Sequence, residues 1–250
     1  MSRFVATFVA VMFFTQFAIA ADQVEFAAAD GVQIYGDLYA SDAGKQAPVI
    51  LLFHQAGSDA RGEYAGIAAR LQEQGYNVLA IDQRAGGTRF GGVNRTMQGL
   101  ERQDYGYCEA YPDMQAAVVF ARLQGFAGPM AVWGSSYSAG LVFRLGAENS
   151  AEVSAILGFS PASGAPMADC PLTPFLADLE IPALALRPQR EYEIESVQAQ
   201  MREFAAHGVQ TYVADPGTHG SSMLNTERVG ASTEATWDVV LAFLAENLHD

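Results

Sequence analysis

The sequence predicts an α/β protein: a mostly parallel central sheet with an N-terminal antiparallel hairpin and helices on both faces. Three observations carry this. Short, apolar, β-branched-rich runs recur at 48–53, 76–81, 153–159 and 181–186, as strands buried on both faces require. Longer segments with helical spacing separate them, and an alternation of strands and helices builds a parallel sheet through crossovers. The opening pair of strand-like segments, 24–29 and 32–39, flanks Asp30-Gly31, a strong hairpin signal.

The elements follow in order. After the hairpin and the run at 48–53, residues 64–74 have helical periodicity and stop at Gly75, a good C-terminal cap residue. The run at 76–81 leads into 82–110, which is Gly-rich, polar and loop-like. A helix is expected over 111–124, stopped by Gly125, and a strand over 130–133. Beyond 153–159 and 181–186 come a charged helix at 191–207, a last strand at 209–214 and an amphipathic closing helix at 233–248. In such sheets functional groups sit in the loops past the strands' carboxyl ends, which makes the strand series a list of places to search.

The strand at 130–133 runs into Gly134-Ser135-Ser136-Tyr137-Ser138-Ala139-Gly140, and a helix-compatible pattern starts at once. This is the layout of a nucleophile elbow, where a tight strand-to-helix turn lifts a serine hydroxyl clear of the sheet edge. The helix N-terminus beneath it favours negative charge. Small residues are required because the two backbones nearly touch. Ser138 stands where G-x-S-x-G has its second glycine. The Gly134 register makes Ser136 the nucleophile; the register ending at Gly140 makes it Ser138.

His219 lies in Asp215-Pro216-Gly217-Thr218-His219-Gly220, a Gly-flanked loop after the last strand, and is the candidate base. Of the other three histidines, His54 ends a strand, His207 ends a helix and His249 is near the terminus. An acid should follow the preceding strand, in the order Ser, Asp/Glu, His. Glu191 is that candidate, with Glu193 and Asp169 as alternatives. The backbone N–H of Gln55 or Ala56, after the run at 48–53, could join that of Tyr137 in an oxyanion hole.

Composition sets the outer bounds. A chain of 250 residues, half of them hydrophobic and 17% charged, can bury one sizeable core. Met1-Ser2-Arg3, the apolar stretch to Phe17 and Ala18-Ile19-Ala20 read as a signal peptide cleaved before Ala21, leaving a single domain over 21–250. The expected address is the periplasm or the exterior, without stable membrane association after cleavage. The net charge of −14 opposes binding to nucleic acid or anionic lipid. Cys108 and Cys170, an even pair in an exported chain, can form a disulfide worth roughly 4 kcal/mol in the chain-entropy model; two free thiols are the other reading. No spacing suggests a metal site.

These motifs resemble the α/β-hydrolases, and within them the compact branch near dienelactone hydrolases. The likeness spans most of 24–248. It rests on His54-Gln55-Ala56-Gly57, Gly75-Tyr76-Asn77-Val78-Leu79-Ala80-Ile81-Asp82, the elbow, Ile181-Pro182-Ala183-Leu184 and Gly217-Thr218-His219-Gly220. Dienelactone hydrolases use a cysteine nucleophile where this chain has Ser136, so their particular reaction does not carry over. Gln55 replaces a common glycine, and Glu191 the usual aspartate.

The expectation is a serine hydrolase acting on a small-molecule carboxylic ester, with Ser136 attacking, His219 moving the proton and Glu191 holding His219, and with no cofactor or metal. The short stretch 160–180 leaves little room for a cap, which favours short acyl groups. Amide or peptide cleavage by the same mechanism, and a non-catalytic binding protein that keeps the fold, are the rival expectations.

Overall fold

The computed structural model describes residues 21–177 and 179–248; the expected signal segment and His249 lie outside them. Eight strands form one sheet: β1 (Asp22–Ala27), β2 (Gln33–Tyr39), β3 (Val49–Phe53), β4 (Asn77–Asp82), β5 (Met130–Ser135), β6 (Ala155–Phe159), β7 (Ala183–Pro188) and β8 (Gln210–Ala214). Their order is β1-β2-β4-β3-β5-β6-β7-β8. Only β2 runs against the rest, pairing antiparallel with both β1 and β4. Gly31, at φ 85°, turns the opening hairpin through a backbone region that glycine enters without Cβ strain.

Alternate strand residues feed two cores. On one face Val49, Leu51 and Phe53 pack under α3 (Tyr111–Leu123), α4 (Tyr137–Glu148) and α6 (Glu195–Ala206). On the other, Ile50, Leu52 and Trp133 meet α1 (Ala60–Glu73) and α8 (Glu234–Leu248). β3 to β6 are entirely buried, which is why they read as unbroken apolar runs rather than alternating ones.

The structure departs from the sequence reading at the joints. The expected loop at 82–110 contains α2 (Arg95–Gln98), capped by Asn94, whose side chain accepts from Met97 N, and a 3₁₀ turn at Tyr107–Ala110. The expected helix at 191–207 is two, α5 (Gln189–Tyr192) and α6, separated at Glu193 and Ile194. The first helix starts earlier than its apolar spacing suggests because Asp59 caps it, accepting from Gly62 N at 2.7 Å. A last short helix, α7 (Thr226–Val229), follows a 3₁₀ turn at Gly220–Leu224. Cys108 and Cys170 are joined by a disulfide with Cα atoms 5.7 Å apart, fastening the Tyr107 turn to the stretch between β6 and β7.

Register brings the functional loops together. Ser135 of β5 lies opposite Phe159 of β6, Phe159 opposite Leu186 of β7, and Leu186 opposite Tyr212 of β8. On the other side of β5, Gly134 lies opposite Phe53 of β3. The loops after all five strands therefore open on one edge of the sheet.

Candidate active site

Ser136 occupies the turn between β5 and α4 at φ 61° and ψ −114°, a backbone region that costs an L-residue energy and is kept only where the surroundings enforce it. Gly134 explains how the turn closes: a Cβ there would lie 2.4 Å from the backbone carbon and oxygen of Ser138. Ser136 Oγ makes no hydrogen bond among the described residues, so the hydroxyl stands free at the edge.

Ser138 is placed differently. It is fully buried inside α4. Its Oγ accepts from Ser135 N at 2.8 Å and lies within donating distance of the carbonyls of Phe53 (2.7 Å), Ser135 (2.9 Å) and His54 (3.0 Å). In the place of the second glycine, then, stands a hydroxyl that ties the ends of β3 and β5 together. The geometry puts the strained, only half-buried position at Ser136.

Glu191 and His219 are brought into contact. Glu191 Oε1 lies 2.5 Å from His219 Nδ1, which assigns that nitrogen as the donor and leaves Nε2 for other work. Burial pushes the Glu191 carboxyl up, but hydrogen bonds from His219 and Arg187, with their charges, outweigh it and hold the group at about 2. Glu193 and Asp169 are exposed and make no such contact.

The loop carrying His219 reaches back over β7 and β6 to the elbow, pinned by backbone amides on its far side. Gly220 N donates to Ser160 Oγ at 3.0 Å, and Ser221 N to Ser135 Oγ at 2.9 Å. Ser160 is itself fully buried and at φ 54°, a second strained serine, at the end of β6. Trp133 Nε1 donates to Ser221 Oγ at 2.8 Å, anchoring the same loop from below. Ser135 adjoins Ser136, and Ser221 lies two residues past His219, so the second bond ties the His219 loop to the elbow itself. Sequence reasoning passed over Ser135 and Ser160, since a serine that accepts a bond from a distant loop leaves no local pattern.

The oxyanion candidates separate. Gln55 N donates to Glu63 Oε2 at 2.8 Å, and its side-chain Nε2 to Glu63 Oε1 at 3.1 Å. The Gln55 amide is thus committed, and Ala56 is the one left open beside β3. Neither Ala56 N nor Tyr137 N has an acceptor among the described residues. The Tyr137 ring is stacked on Tyr107 with centroids 4.9 Å apart, and Tyr107 adjoins the disulfide at Cys108. His54 is spent on structure: Nδ1 meets Gln55 O at 2.9 Å, and Nε2 accepts from Gln83 N at 2.9 Å. No group of three or more His, Cys, Asp or Glu with metal-holding geometry occurs among the described residues.

Comparison with known proteins adds the family. A family model described as serine aminopeptidase, S33, matches residues 44–220. An esterase from Pyrococcus furiosus superposes with a TM-score of 0.69 at 18% identity, over 96% of each chain. The acylaminoacyl peptidase of Pyrococcus horikoshii gives 0.65 at 16% identity, over 91% of this chain and 41% of its own. A Klebsiella pneumoniae protein provisionally called a dienelactone hydrolase gives 0.67 at 14% identity, over 90% and 99%. At these identities the likeness is one of fold. No curated protein matches the chain in sequence.

Proposed function

This chain belongs to the serine aminopeptidase, S33, family of α/β-hydrolases, and on that footing we propose that it is a serine hydrolase cleaving a short-acyl carboxylic ester through an acyl-enzyme. The observation that carries the reading is the Glu191–His219 hydrogen bond, on a loop stitched to the turn that exposes Ser136. Ser136 Oγ attacks the ester carbonyl carbon as His219 Nε2 takes its proton. The amides of Ala56 and Tyr137 receive the negative oxygen of the tetrahedral intermediate. Collapse breaks the bond to the leaving alkoxide, which takes the proton from His219. Water then attacks the acyl-Ser136 carbonyl, passing a proton to His219. The second collapse returns that proton to Ser136 and frees the carboxylic acid. Glu191 holds the imidazole throughout and balances its positive charge.

The short connection between β6 and β7, partly pinned by the disulfide, supports a small acyl group. The esterase likeness covers 96% of each chain, whereas the peptidase likeness covers 91% of this chain but 41% of that larger protein. The family's description keeps amide cleavage as the second reading. Fluorophosphonate labelling tests the mechanism: wild type should react and Ser136→Ala should not. Turnover of p-nitrophenyl acetate and butyrate against aminoacyl p-nitroanilides separates ester from amide preference. We assign the mature protein to the periplasm or exterior, with a small-molecule partner and no nucleic acid. Cleavage between Ala20 and Ala21 is part of that reading, and an exported product whose N-terminal sequence begins at Met1 would overturn the cleavage.

A further inference from the structure

Arg187 lies behind the candidate acid, on the side away from His219. It is the penultimate residue of β7, with its side chain only 7% exposed. Its Nη1 donates to Glu191 Oε2 at 2.8 Å, while the other carboxylate oxygen, Oε1, takes His219. Its Nη2 donates to Gln200 Oε1 at 2.6 Å and to the carbonyl of Pro161. One guanidinium therefore joins the ends of β6 and β7, the middle of α6 and the acid. Burial pulls the guanidinium's own value down, yet an arginine starts so high that it stays charged.

Glu191 needs such support. Its helix, α5, is a single turn with no side-chain cap, too short to fix a side chain by itself. A carboxylate held at one oxygen by His219 alone could rotate about its last bond or take up a proton. With Arg187 on the second oxygen, rotation would break a largely buried ion pair. The planar fork can serve three acceptors at once, which a lysine ammonium on a flexible stem does less well.

We propose, resting on the reading of Glu191 and His219 above, that Arg187 is a positioning residue: it locks the Glu191 carboxylate in the rotamer and charge state that orient His219. The charged groups facing Glu191 are Arg187 from β7 and His219 from the loop after β8; Gln200, from α6, is neutral. Loss of Arg187 leaves burial opposed by His219 alone, so Glu191 protonates at higher pH and the imidazole loses its partner as the solution is acidified.

The test uses the full mature chain as wild type, Arg187→Met and Arg187→Lys. Three measurements are compared: p-nitrophenyl acetate kinetics from about pH 5 to pH 9, fluorophosphonate labelling, and the downfield Nδ1 proton of His219 by NMR. Arg187→Met should lower kcat at least about tenfold at pH 8, with KM held within about twofold. The deficit should widen toward pH 5, and the downfield proton should vanish. Arg187→Lys should recover part of kcat. A wild-type kcat with the proton retained in Arg187→Met overturns the proposal, as does a deficit equal at every pH with the proton retained. If circular dichroism shows Arg187→Met unfolded, Arg187→Lys decides alone: a deficit that grows on acidification supports the proposal, and a wild-type profile overturns it. If wild type is neither labelled nor active, the ester-hydrolase reading falls, and the NMR comparison still decides whether Arg187 fixes Glu191 against His219.

Discussion

Ser138 Oγ accepts the amide hydrogen of Ser135 at 2.8 Å, three residues back across the elbow. That bond distinguishes the two serines that a motif alone leaves ambiguous. Ser138→Ala would bury the Ser135 N–H without an acceptor and should cost about 1–3 kcal/mol, seen as a lower denaturant midpoint. Ser138→Gly should cost at least as much, because strain sits at Ser136 and Ser138 is helical; the glycine of the usual motif offers no relief here. Ser136→Ala should leave stability within about 0.5 kcal/mol, since its hydroxyl has no protein partner, while lowering kcat by about 10⁴-fold or more. Unchanged turnover in Ser136→Ala would dismiss the serine mechanism.

Glu191→Gln keeps the shape of the acid but removes its charge, and should reduce kcat by about 10³- to 10⁴-fold. It should also alter acid stability. The folded carboxyl, at about 2, lies below its ordinary value, so in the window between the two the unfolded chain binds a proton that the folded chain does not. Glu191 thus stabilises the fold above its ordinary value, and this contribution is lost as pH falls toward 2. Thermal midpoints between pH 5 and pH 2 should decline more steeply for wild type than for Glu191→Gln. Parallel slopes would contradict the assignment.

Reduction of Cys108–Cys170, or replacement of both by serine, should destabilise the chain by about 4 kcal/mol in the chain-entropy model for residues 62 apart. Because Cys108 neighbours Tyr107, whose ring stacks on Tyr137, the reduced protein should also hydrolyse esters more slowly. Chemical denaturation with and without a phosphine reductant, followed by initial rates, measures both.

Gly220→Ala should harm fold and activity together. The residue sits at φ 65°, and a Cβ there would stand 2.3 Å from Ser135 Oγ, the acceptor that anchors the loop. A loss of at least about 2 kcal/mol is expected, with a fall in kcat larger than the change in KM as His219 is displaced. A variant with wild-type kcat would show that the anchor does not set the imidazole.

Much of this architecture was legible because burial leaves a simple trace. Strands enclosed on both faces, such as β3 and β4, have no solvent side and so no polar alternation to obscure them. The elbow and His219 were legible through local spacing. Gln55 was read as a possible oxyanion donor because Glu63, eight residues on and inside a helix, gives no sign in sequence that it will capture that amide. The division of the helix at 191–207 into α5 and α6 was missed because its charged pattern runs straight through Glu193 and Ile194. Arg187 and Ser160 were missed for the commonest reason: their partners are distant in the chain and become neighbours only once the sheet has formed.

The loop that bears His219 is fastened through main-chain hydrogens, at Gly220 and Ser221, to hydroxyls on the neighbouring strand ends. Such fastening is indifferent to most of the loop's own side chains. Thr218 could change without moving the imidazole, provided Gly217, Gly220 and the loop length are kept; a Cβ at Gly217 would stand 2.7 Å from the carbonyl oxygen of Ala214. The arrangement separates the part of the molecule that can be redrafted from the part that must stay aligned. Varying Asp215 and Thr218 with Gly217 kept is therefore a route to new substrate preferences in which most progeny should remain competent catalysts.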